Sequence, residues 1–149
     1  MENYNKALAS GATVTVPIQE QYTKPLVDGS PVLLTNDYTI TAADNGKTFL
    51  IATDAKVITL PATIADFEVT IINSGAAGNN IVTIAPVAAD GIAGTITLAA
   101  SIVTRVGTVN TALVNTKASS TFGNAVKLIG TGVTGTGAWF ITASTGIWA

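Results

Sequence analysis

The chain has 149 residues, no cysteine and no histidine, and only 11 % of it is charged, with a net charge of −2. That length suits one domain able to bury a core without disulfides or metal, while the charge content is far below the roughly 25 % of an ordinary globular protein. Lys6, Lys24, Lys47, Lys56, Arg105, Lys117 and Lys127 are spread along the chain, so no basic patch for phosphate-driven nucleic-acid binding is available.

The opening "MENYNKALASGA" has no apolar run after its basic residue, and no signal peptide is expected. Residues 1–32 read as an N-terminal arm. Three of the five prolines, Pro17, Pro25 and Pro31, lie there, and proline removes a ladder N–H and forces extended or turn geometry. "ATVTVP" has the alternation of one short edge strand; "IQEQYTKPLVDGSP" does not. An arm with little core of its own packs on its own domain, a sister subunit or another protein. Its apolar anchors are Val14, Val16, Ile18, Tyr22 and Leu26.

Residues 33–149 read as one all-β domain. Thr, Val and Ile dominate, and these residues pack well on a pleated sheet. "FEVTII" places Phe67, Val69 and Ile71 on one face and Glu68 and Thr70 on the other. Ile96 and Leu98 alternate with Thr95 and Thr97, and Val126 and Leu128 flank Lys127. Turn signals recur at Asp44–Gly46, Ser74–Asn80, Asp90–Gly91 and Gly130–Gly137. Ile102, Val106, Val109 and Leu113 are spaced as in a helix, but Gly107, Asn110 and the β-branched neighbours favour strand or irregular structure. Many short strands between frequent turns predict an antiparallel β-sandwich, jelly-roll-like, with an extended N-terminal arm. No internal sequence repeat is present beyond a shared "TIT". The uncharged runs 69–89 and 128–149 are interrupted by Asn, Ser and Gly, so no membrane span is expected.

The missing side chains restrict chemistry further. Without His there is no common general base and no imidazole ligand. Without Cys there is no thiolate nucleophile or zinc–thiolate site. No G-x-S-x-G elbow occurs, and "GTGVTGTG" lacks the G-K-[ST] of a phosphate loop. Asp66 and Glu68 would share a strand face about 7 Å apart, a distance compatible with inverting glycoside hydrolysis, though such a pair is far more commonly a solvated edge. Asp37, Asp44 and Asp54 lack the spacing of a calcium loop. No catalytic residue, cofactor or metal site is therefore expected. Trp139 and Ile141 are expected to share a core face, with Phe140 opposite. A tryptophan one residue from the end must pack into its own core or a neighbour, and Ile147 with Trp148 is a candidate subunit contact.

Two stretches, "YTITAADNGKTFLIATDAKVITLPA" with "FEVTIINSGAAGNNIVTIAP", and "GNAVKLIGTGVTGTGAWFITASTGIWA", carry a resemblance. The matching positions are Gly46–Phe49, Thr59–Ala62, Ile72–Gly75, Val82–Pro86 and Val126–Trp139. Residues 36 to 149 resemble a β-module of tailed-phage structural proteins, found in capsid decoration (cement) proteins and in head and tail fibres. The resemblance, with one module and one arm, implies a decoration protein: a homotrimer on the outer capsid surface of a virion assembled in the host cytoplasm, bound to the major capsid protein. The alternative it implies is a receptor- or glycan-binding module of a head or tail fibre. In that reading the loops around Asn73–Asn80 and Thr131–Gly137 carry recognition.

Overall fold

The computed structural model describes residues 29–149. Among the described residues eleven strands are joined by short turns and two single-turn 3-10 segments, Ala42–Asp44 and Lys117–Ser119. In chain order the strands are β1 (Val32–Leu34), β2 (Tyr38–Thr39), β3 (Thr48–Ile51), β4 (Lys56–Thr59), β5 (Glu68–Asn73), β6 (Val82–Ala85), β7 (Asp90–Leu98), β8 (Ser101–Arg105), β9 (Leu113–Asn115), β10 (Asn124–Gly130) and β11 (Gly135–Thr145). They form a seven-stranded sheet, β1-β3-β5-β10-β11-β7-β8, and a four-stranded sheet, β2-β4-β6-β9. The all-β expectation holds, and the segment after Ile102 is strand and irregular chain rather than helix.

The expected antiparallel jelly-roll pairing is corrected. From β1 to β6 the chain alternates between the two sheets, and each strand lies parallel to the strand two before it: β1 with β3, β3 with β5, β2 with β4, β4 with β6. The first half of the domain is thus wound as a stack of coils. Antiparallel pairing enters with β9, β10 and the β7–β8 hairpin, while β11 runs parallel to β7. Inward alternation has the same period in parallel and antiparallel strands, so the residue pattern that revealed the strands carried no information on their direction.

One apolar core draws on both sheets. The four-stranded sheet contributes Ile58, Val82, Ile84 and Leu113, and the seven-stranded sheet contributes Phe49, Ile51, Val69, Ile71, Val126, Leu128 and Trp139. The alternation anticipated for β5 and β10 is reproduced residue by residue in their burial. Trp139 and Ile141 face inward as expected, and Trp139 meets Phe67 edge to face at 5.7 Å. Phe140 faces outward and is 45 % exposed.

Close approach requires glycine at several positions, Gly107 and Gly146 among them. A Cβ on Gly107 would collide with the Thr136 carbonyl where the chain leaving β8 crosses the start of β11. Gly146 has a φ of +80°, and a Cβ there would also strike the Asn124 side chain.

The "DNG" turn is built on a buried carboxylate. Asp44 Oδ2 accepts from Thr41 N (2.8 Å), Thr41 Oγ1 (2.9 Å) and Tyr38 Oη (3.1 Å), and Oδ1 pairs with Lys47 Nζ at 2.9 Å. Burial pushes the Asp44 carboxyl up, but Lys47, the Thr41 N–H and hydroxyl, and the Tyr38 hydroxyl outweigh it and hold the group below its ordinary 3.8. A carboxyl depressed in the folded state stabilises above its unfolded value, and that contribution is lost as the pH falls through the folded value. Acidification from pH 5 to below 3.8 should therefore lower the denaturation midpoint of the wild type more than that of Asp44→Asn. Parallel acid titrations of the two proteins check this; identical slopes would remove Asp44 as a determinant of acid stability.

Candidate functional site

The anticipated site residues fall in three groups. Val14, Val16, Ile18, Tyr22 and Leu26 lie outside the described residues, as does all of the arm except its last four residues, of which Val32 begins β1. Trp148 takes the first of the two options left open by the sequence: its side chain is wholly buried in its own domain, with Nε1 donating to the Thr145 carbonyl at 3.0 Å. Ile147 is half-buried and bridges to Thr97 of β7, while Ala149 exchanges two main-chain hydrogen bonds with Val114 of β9. The C-terminus therefore ties the two sheets together and covers the edge of β9.

The acidic candidates do not assemble. Asp66 stands in the turn before β5 with a φ of +58°, off the strand on which it was expected to face Glu68, and Glu68 pairs with Lys127 at 2.9 Å. Asp37 accepts from Val57 N, Asp44 is committed to its turn, and Asp54 accepts from Ile81 N and pairs with Lys117. Among the described residues no group of three or more acids is placed to hold a metal ion.

Among the described residues the deepest carboxylate is Asp90, fully buried at the start of β7. Its Oδ2 accepts from Thr63 N at 2.8 Å, and Oδ1 has no partner among the described residues. Thr63 Oγ1 donates to Ala138 O (2.6 Å) and accepts from Thr131 N (3.1 Å) and Gly132 N (3.0 Å). Asp90 and Thr63 thus brace the exit after β4 against the β10–β11 hairpin, and burial denies Asp90 to any substrate.

A second polar centre consists of four buried asparagines at the opposite end of β10. Asn73 Nδ2 donates to Asn115 Oδ1 (2.6 Å) and to Asn80 O (3.1 Å), and Asn80 Nδ2 donates to Asn73 Oδ1 (2.8 Å) and Ile51 O (3.0 Å). Asn115 Nδ2 reaches Asn124 Oδ1 (3.1 Å) and Ile147 O (2.7 Å). Sequence reasoning missed this network because the four residues share no spacing; only their places beside strand ends bring them together. It also changes the reading of the recognition loops. Asn73 and Asn80 point inward and hold their loop. That loop adjoins the Asn73–Asn124 end of the sheet, whereas the 131–137 loop leaves the Ile129–Glu68 end. The two loops therefore stand at opposite ends and do not form one binding edge.

The outward face of the seven-stranded sheet is accessible. Two shallow grooves run along β11. One, of about 170 Å³, lies over Thr70, Ala125, Lys127 and Thr145; the other, of about 330 Å³, lies over Thr95, Thr97, Ile102 and Thr142; they share Ala143 and Ser144. Among the described residues Lys127, paired with Glu68, is the one charged side chain lining either groove. Ile102 on the edge strand β8 is 73 % exposed. The inward side of β8 is fastened by Arg105, whose Nε donates to Ile92 O (3.1 Å) and whose terminal nitrogen donates to Thr111 O (3.1 Å) and Ala112 O (2.8 Å). The surface offers threonine hydroxyls, methyl groups and a strand, β8, that has no outer neighbour among the described residues.

The chain matches no protein-family model, and no curated protein matches it.

Proposed function

We propose that this protein is a non-enzymatic structural component of a tailed-phage virion, a capsid decoration protein attached as a homotrimer to the outer surface of the major capsid protein lattice. The observation that carries this reading is the outward face of the seven-stranded sheet: threonine- and alanine-rich, nearly uncharged, with Ile102 exposed on the edge strand β8 and Phe140 exposed on the interior strand β11. A surface with so little charge is poorly self-repelling, and permanent contacts in a shell give it a use. The motifs over residues 36–149 that resemble phage β-modules support the same assignment. We read the two sheets around one core as a β-sandwich whose first half is wound in parallel.

The mechanism is mechanical. A trimer presents three copies of one contact surface, so modest single interfaces of about 800 Å² per partner combine into firm attachment. Area buried between decoration protein and shell must be exposed again before the shell can burst. The fibre-module alternative draws less support, because its two proposed recognition loops stand at opposite ends of the sheet.

Mixing the purified protein with undecorated shells and sedimenting them tests the reading. The wild type should co-sediment at a copy number in the hundreds per particle. An Ile102→Glu/Phe140→Glu variant, which alters only exposed side chains, should bind at least tenfold more weakly while keeping the wild-type circular dichroism. Protein that remains in the supernatant yet binds host cells would overturn decoration in favour of the fibre module.

A further inference from the structure

Asn45 is the one asparagine of the chain that is followed by glycine. In such a pair the glycine amide nitrogen, with no side chain to shield it, can attack the asparagine carboxamide carbon. The attack forms an N–C bond, closes a succinimide ring and expels ammonia, which carries away the glycine amide proton. Water then opens the ring at either carbonyl and leaves aspartate or isoaspartate. The step needs no reagent besides water, so the geometry of the pair decides whether it runs.

The turn before β3 holds the two reacting groups apart. Residues 44–47 form a type II turn: Asn45 has φ −56° and ψ 131°, Gly46 has φ +79°, and Lys47 N donates to Asp44 O at 3.1 Å. Ring closure needs the Gly46 nitrogen eclipsed with the Asn45 Cα–Cβ bond, and this ψ turns it well to one side. Both groups are also committed to one residue of β5. Gly46 N donates to Glu68 O, and Asn45 Oδ1 accepts from Glu68 N, each at 2.8 Å. The carboxamide thus serves as a rung that extends the β3–β5 ladder beyond its first main-chain pair, Thr48 with Thr70. Asp44 fixes the arrangement, since its buried carboxylate gathers Thr41, Tyr38 and Lys47 around the turn. Asn45 and Gly46 are themselves exposed, so water reaches the pair.

We propose that Asn45 is a deamidation site governed by the Asp44 clamp: the closed turn withholds the reaction, and an opening that frees Gly46 from Glu68 lets it run. The modification makes that opening permanent. Isoaspartate sends the main chain through the former side chain and lengthens it by a methylene, which displaces the acceptor of the Glu68 N–H. Either product also adds a negative charge beside the Asp44 carboxylate. A reversible local fluctuation thereby becomes a lasting weakness where β3 meets β5. This goes beyond the decoration reading and does not depend on it.

Full-length protein and a peptide of residues 41–50, incubated side by side at mildly alkaline pH, test the proposal. Conversion of Asn45 to aspartate and isoaspartate is followed by mass and chromatography of the fragment that contains it. The peptide should convert at least tenfold faster than the protein. Tyr38→Phe removes one donor to Asp44 and keeps the ring beside Phe49, whereas Asp44→Ala removes the clamp. Conversion should rise from wild type to Tyr38→Phe to Asp44→Ala. Amide exchange at Gly46 should rise by the same factor as conversion in each folded variant, because one opening serves both. If Asp44→Ala unfolds, as circular dichroism would reveal, Tyr38→Phe read against its own Gly46 exchange decides. Wild-type conversion at the peptide rate, or faster Gly46 exchange without faster conversion, would overturn the proposal. No shell is present in these measurements, so their outcome is separate from that of the sedimentation test.

Discussion

Replacement of Asn115 by alanine is expected to lower the stability of the domain by about 3 kcal/mol, a large part of the total for a domain of this size. Asn115 is fully buried and sits at the centre of the asparagine network, accepting from Asn73 and donating to Asn124 and to the Ile147 carbonyl. A buried polar group left without its partner costs roughly 1–3 kcal/mol. Three are affected, but Asn73 keeps its bond to Asn80 O and Asn124 keeps the bond from Thr121 N, so the loss stays below three full penalties. The largest local effect should appear in the C-terminal segment, because Asn115 holds Ile147 while its neighbour Val114 pairs with Ala149. Amide exchange at Trp148 and Ala149 should accelerate with the global change. Asn115→Asp should be worse than alanine at pH 7, since a buried carboxylate would face the Asn124 and Ile147 oxygens that Asn115 now donates to, and part of the deficit should return on acidification. Urea denaturation of the three proteins at pH 7 and pH 5 measures this; a loss below 1 kcal/mol for alanine would show that the network contributes no more than a surface contact.

Trp139→Ala should be still more damaging, at roughly 3–5 kcal/mol. Trp139 lies on β11 in the middle of the large sheet, paired across to Gly130 of β10 and to Ile92 of β7, with its ring edge-on to Phe67. Truncation removes one of the two largest fully buried side chains of the core and leaves a void walled by strands that cannot collapse independently. Trp139→Phe is the informative companion. The indole Nε1 has no hydrogen-bond partner among the described residues, so phenylalanine gives up volume but no hydrogen bond, and it keeps an aromatic pair with Phe67. Its cost should be about 1–2 kcal/mol, well short of the alanine value. Equal losses for Phe and Ala would mean that the indole N–H is bonded after all.

These two side chains were unequally visible in the sequence. Trp139 belonged to an alternating, aromatic-rich strand, and alternation reports which face is buried whatever the strand pairs with. Asn115 belonged to no pattern. Its role arises from the meeting of a strand end, a turn and the C-terminus, from residues 42 positions apart in the case of Asn73 and 32 in the case of Ile147. The same limit explains the acidic pair. Two residues apart, Asp66 and Glu68 share a face only on a continuous strand, and the left-handed backbone at Asp66 ends that premise.

By itself, then, the sequence determined the elements and the faces of this protein: β-branched alternation marks the strands, Gly and Asn/Asp mark the turns, and the absence of His and Cys removes imidazole and thiolate chemistry. The direction in which strands pair, the winding of β1 to β6 between two sheets, the inward turn of Trp148 and the convergence of four asparagines were decided only by the tertiary structure. The physical reason is that side-chain alternation depends on the local pleat, whereas pairing and convergence depend on contacts between residues far apart in the chain, which local preference does not encode.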